Sequence, residues 1–81
     1  MDLTDATVLV TGGAGLVGSH LATTLHDAGA TVRVADDLSK GERDRVPADV
    51  AFTHADMTDV DDVEQVITPD LDMVFHLAAY T

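Results

Sequence analysis

Gly12, Gly15 and Gly18 stand three residues apart in Val8-Leu9-Val10-Thr11-Gly12-Gly13-Ala14-Gly15-Leu16-Val17-Gly18. That spacing suits one kind of chemistry, the holding of a diphosphate by bare backbone. A glycine at 12 permits a turn that side chains would obstruct, and one at 15 lets the main chain approach phosphate oxygens closely. A glycine at 18 lets the following helix pack tightly on its strand. Leu16 and Val17 open that helix, whose free N–H groups and positive dipole end would face the anion. The second chemical group is Asp36, followed at once by Asp37. A carboxylate at this distance from the glycines accepts hydrogen bonds from adenosine ribose hydroxyls and repels a 2′-phosphate, which favours NAD over NADP. The plainer readings are a glycine-rich turn that binds nothing and an ordinary turn aspartate in a chain full of them. A strand before the glycines, a helix after them and an acid ending the next strand decide for the dinucleotide.

These residues need elements to position them. Thr7 to Thr11 is a continuous apolar run of the buried, parallel-sheet type. From Leu16 to Ala28, Val17, Leu21 and Leu25 recur every four positions with Ala22 and Ala28 beside them, predicting one apolar helical stripe that Gly29 ends. Thr31 to Asp36 reads as the second strand and closes a βαβ unit. Gly41 to Asp49 is a mixed-charge loop with room for one helical turn, and Val50 to His54 reads as a third strand. Thr58, with Asp61 three residues on, resembles a capping box. It would open a helix that buries Val60, Val63, Val66 and Ile67, turns its acids outward and stops before Pro69. Met73 to Ala79 predicts the fourth strand. The expected architecture is α/β, a Rossmann-like doubly wound parallel sheet of order 3-2-1-4, with one helix on each face. The fourth strand would then be an exposed apolar edge, open to self-association. His20 and His26 have no carboxylate or cysteine at ligand spacing and are read as structural or solvent-facing, so no metal is expected.

Thr11 to Leu21 resembles the nucleotide-binding signature of extended short-chain dehydrogenases/reductases. More narrowly, it is similar to the NAD-dependent epimerase/dehydratase family that acts on nucleotide sugars. Asp37-Leu38-Ser39-Lys40-Gly41 resembles that family's Asp-Asn-Leu-Ser-Thr-Gly turn, departing at Asp37 and Lys40. Asp37 adds a second carboxylate near the ribose, and the Lys40 ammonium could offset it. The resemblance implies that Asp56 and Met57 meet the adenine ring, the carboxylate accepting from its amine and the Met57 N–H donating to a ring nitrogen. It also implies that Leu77, Ala78 and Ala79, in a His-Leu-Ala-Ala stretch, lie along the cofactor's ribose and nicotinamide portion. His76 is read as a positioned strand residue, not as an acid or base. Family members place their catalytic Tyr-x-x-x-Lys well beyond this point, and Tyr80 is not that tyrosine because nothing stands four positions after it. Residues 1–81 are thus expected to be an NAD-binding domain truncated relative to the family, holding no catalytic residue.

Fifteen acidic residues face four basic ones, with Lys40 the only lysine and a net charge of −11. This opposes nucleic-acid binding, which needs Lys and Arg against phosphates. It fits a solvated, salt-adapted surface, or else an acidic piece whose counter-charges lie elsewhere. The chain has no cysteine, no apolar run of membrane-spanning length and no secretion signal, so a cytoplasmic protein is expected. The leading expectation is the NAD-binding part of an oxidoreductase whose nucleotide-sugar substrate is met only in a full-length enzyme. The competing ones are a non-catalytic NAD-binding or protein-interaction module and an inactive remnant.

Overall fold

The computed structural model describes residues 3–78. Four strands, β1 (Thr7–Thr11), β2 (Thr31–Asp36), β3 (Ala51–His54) and β4 (Met73–His76), form one parallel sheet in the order β3-β2-β1-β4. Helix α1 (Leu16–Asp27) joins β1 to β2, a single 3₁₀ turn (Arg43–Arg45) precedes β3, and α2 (Val60–Val66) joins β3 to β4. The expected strand order and crossovers are those observed.

The side-chain alternation of β1 explains the two layers. Val8 and Val10 face α1 and pack with Ala22, Leu25, Val32 and Val34, while Leu9 faces the opposite side with Ala35, Ala55 and Val66 of α2. All three β1 side chains are essentially inaccessible to water. Each buried side chain of this size stabilises the fold by about 1.5–3 kcal/mol. A strand covered on both faces must be apolar throughout, and this one is.

Four boundaries differ from expectation, each for a local reason. α1 ends at Asp27, with Ala28 as its cap. Gly29 follows at φ +96°, its N–H bonding His26 O and the Ala30 N–H bonding Leu25 O, a double closure that needs a left-handed residue. β3 begins at Ala51 because the Val50 N–H is taken by Pro47 O in a turn. β4 stops at His76, the register partner of Thr11, because β1 turns away at Gly12 after a last bond from the Leu77 N–H to Thr11 O. α2 starts one residue late. Thr58 gives both its N–H and its hydroxyl to Asp56 Oδ1, and Asp59 becomes the N-cap, accepting from the Asp62 N–H.

The expected helix faces also shift. Val17 is 72% exposed, and the buried residues of α1 are Gly18, Ser19, Ala22 and Leu25. On α2 only Val66 is buried, and Val60 is 70% exposed. His26, read as structural or solvent-facing with no carboxylate at ligand spacing, pairs with Asp49 across the fold, Nε2 to Oδ2 at 2.9 Å. On β2, Arg33 forks onto Asp70, whose carboxyl also takes the Thr68 hydroxyl. The Arg33 hydrogen bond, then the Thr68 one, hold the Asp70 carboxyl down to about 2. No helix among the described residues is long and apolar enough to cross a membrane.

Candidate functional site

All four strands point their carboxyl ends the same way, and β2 and β4 leave β1 on opposite sides. Open parallel sheets form a crevice at that divergence. Here it is a cleft of about 270 Å³. Each strand contributes to its walls. Gly12, Gly15, Leu16, Val17 and Gly18 come from the β1–α1 loop, and Asp36, Asp37, Ser39, Lys40 and Gly41 from the end of β2. Ala55 and Met57 follow β3, while Leu77 and Ala78 follow β4.

The glycines have distinct jobs. Gly12 sits at φ +73°, and a Cβ there would lie 2.8 Å from the Ala78 nitrogen. It therefore turns the chain and lets the loop meet the end of β4. At Gly18 a Cβ would lie 2.2 Å from Gly12 O, so this residue packs the helix on the turn itself, not on the strand. Gly15 differs from both. It has ordinary extended backbone, and a Cβ there would meet only Gly12 O, at 3.3 Å. What it supplies is open space on the cleft side. Gly15 is also the N-cap of α1 and offers no side chain to the first N–H groups of the helix. Leu16 and Val17, 75% and 72% exposed, flank that open end. Main-chain donors beside a glycine with room in front of it fit a diphosphate.

Asp36 is 7% exposed and bonded on both oxygens. Oδ2 accepts from the Ala14 N–H at 2.9 Å, and Oδ1 accepts from the Leu38 N–H at 2.7 Å. Each ionised oxygen keeps a further lone pair for a ligand hydroxyl. At the β4 end, the buried Thr11 hydroxyl accepts from the Leu77 N–H at 3.1 Å and lies 2.7 Å from His76 Nδ1. These contacts tie the strand end to β1.

Twelve of the fifteen residues singled out from sequence line this one cleft. Leu38 does not. Its backbone is left-handed (φ 64°), its N–H serves Asp36 and its side chain packs against the core. Asp56 does not either, and its Oδ1 is engaged by Thr58. Ala79 lies outside the described residues, as does Tyr80. Gly41 and Ala55 are lining residues that the sequence reading passed over. Among the described residues no group of His, Asp or Glu is arranged to hold a metal.

Comparison with known proteins agrees with this geometry. Residues 8–81 match the NAD dependent epimerase/dehydratase family. The chain belongs to that family. It is 42% identical over 72 residues to a UDP-glucose 4-epimerase of Azospirillum brasilense, a match covering 88% of this chain and 21% of the relative. It is 44% identical over 73 residues to the Corynebacterium glutamicum UDP-glucose 4-epimerase, covering 89% and 22%. Among solved structures, an epimerase of Methanothermobacter thermautotrophicus superposes with a TM-score of 0.89 at 40% identity, over 96% of this chain and 24% of that one. A Thermus thermophilus UDP-glucose 4-epimerase, solved in complex with NAD, superposes with a TM-score of 0.86 at 41% identity, over 93% and 24%. The chain thus spans about a fifth to a quarter of the length of these family members.

Proposed function

We propose that this chain is the NAD-binding, N-terminal part of a nucleotide-sugar epimerase/dehydratase-type oxidoreductase. The observation that carries the reading is the convergence, in one cleft, of an open helix N-terminus, a buried carboxylate and Leu77 and Ala78 at the end of β4. The uncapped N–H groups after Gly15 would take the diphosphate, and Asp36 the adenosine ribose. Met57 stands where the adenine would lie, and Leu77 and Ala78 would pass the nicotinamide side. NAD supplies a hydride acceptor in such enzymes, and the part played by these residues is to bind and orient it. The nucleotide sugar belongs to the complete enzyme. Calorimetric titration with NAD and NADP in molar KCl tests the reading. NAD is expected to bind and NADP to bind at least about tenfold more weakly, the repulsion of a 2′-phosphate by Asp36 being the cause. A folded sample that takes up neither would refute it.

The acidic balance supports a further part of the proposal, that the protein works in a salt-rich cytoplasm. A net charge of −11 makes the compact state self-repelling, and counter-ions relieve that repulsion. The melting temperature is expected to climb from low to molar KCl, and a flat or falling curve would count against salt adaptation.

A further inference from the structure

The peptide of Ala14, at the middle of the glycine loop, is gripped from two sides, by the last residue of β2 and by the segment that follows it. Its N–H donates to Asp36 Oδ2 at 2.9 Å, and its carbonyl accepts from the Glu42 N–H at 2.9 Å. Between those two bonds, Gly41 comes so close that a Cβ on it would lie 2.7 Å from both Ala14 C and Ala14 O, and 3.0 Å from Ala14 Cβ. All three are backbone atoms or a side-chain stub, with no flexible end to move aside. Gly41 does not have a left-handed backbone, so its lack of a side chain serves only this approach.

The segment is also held in an unfavourable shape. Leu38 adopts the left-handed conformation at φ 64°, which is disfavoured for a residue with a Cβ. Such strain persists only where the surroundings over-determine it. Here the Leu38 N–H is bound by Asp36 Oδ1, the Ser39 N–H by Asp37 Oδ1 at 2.9 Å, and the Leu38 side chain by the core.

We propose that residues 37–42 form a latch that closes on the Ala14 peptide and sets the width of the diphosphate cradle, with Gly41 as its positioning residue. Ala14 is fully buried and lies between Gly13 and Gly15, so a shift of its peptide shifts the Gly15 end of the cradle. The same segment brings Ser39, Lys40 and Gly41 to the cleft that Gly15 also lines. A ligand with a diphosphate joined to a ribose would touch both sides at once, and the latch makes them one rigid wall. The inference rests on the dinucleotide reading and adds to it a residue that need not touch the ligand.

Gly41→Ala in the full chain tests it, with NAD affinity measured by calorimetry and amide hydrogen exchange followed residue by residue. Over-packing of this kind is expected to weaken NAD binding about tenfold to a hundredfold. Exchange should quicken at Glu42 and Ala14 while the Val8–Val10 and Ala22–Leu25 amides keep their protection. Affinity within about twofold of wild type would overturn the latch. So would fast exchange of the Glu42 amide in the unsubstituted chain, a measurement that needs no variant to fold. If the unsubstituted chain, folded, binds no NAD while its Glu42 amide is protected, it is the functional reading that falls, and the latch's role in binding falls with it.

Discussion

The two α-helices begin in opposite ways. α2 starts with Asp59, whose carboxylate accepts from the Asp62 N–H, and Asp61 and Asp62 place negative charge in its first turn. Its donors and its dipole are satisfied from within the chain. α1 starts with Gly15, which has no side chain to offer, and Leu16, Val17 and Gly18 bring no charge. In a chain with fifteen acidic residues, the one helix start without an acid among the described residues is the one that opens into the cleft. A capped end stabilises the fold, and an end left uncapped beside open space is available to an anion.

Substitutions that swap the characters of these two ends should separate binding from stability. The largest effect is expected from Gly15→Val. Its backbone tolerates a side chain and only Gly12 O stands near, so the domain should fold with a melting temperature within a few degrees of wild type while NAD binding drops more than about a hundredfold, as the cradle fills. Calorimetry beside a thermal melt reads both. Next is Asp36→Ala. It should abolish the preference for NAD over NADP and also destabilise the fold by about 1–3 kcal/mol, because the buried Ala14 N–H loses its acceptor. Denaturant unfolding and paired titrations with the two cofactors check it. At α2, Asp59→Ala should show the reverse pattern, a loss of about 0.5–2 kcal/mol with NAD affinity unchanged.

The smallest effect lies away from both helix starts, at Asp70. The Arg33 and then the Thr68 hydrogen bond hold its folded carboxyl at about 2, below the ordinary 3.8. The contribution is therefore fully present above pH 3.8 and is lost as the pH falls toward about 2. Because the pair is exposed, salt should shrink the effect. Acid unfolding of wild type and Asp70→Asn at low and high salt would reveal it as a difference confined to that window.

How far the sequence could be read follows from the same physics. β1 was legible because a buried parallel strand is an unbroken apolar run, and Val8-Leu9-Val10 is one, while the strand order followed from the dinucleotide-fold pattern and not from β3 or β4, which are only half-buried. The glycine cradle and Asp36 were legible because their spacing reflects a local turn and a single crossover. The helix faces were less so. Val17 looked like part of an apolar stripe, yet the first turn of α1 borders the cleft and not the sheet. Thr58 reads as a cap, but Asp56 captures it first, so Asp59 becomes the cap, the helix starts at Val60 and Val60 turns outward. Gly41 and the partner of His26 were beyond reach for a different reason. Each depends on a contact between segments far apart in sequence, Ala14 for the one and Asp49 for the other, and composition carries no trace of it.

The most direct test of the central claim is a residue-resolved NMR titration of the chain with NAD in molar KCl. The account predicts amide shifts concentrated at Gly15 to Gly18 and Asp36 to Lys40, with Asp61 to Val63 at the start of α2 unmoved. Shifts centred on α2, or none in a folded sample, would contradict it.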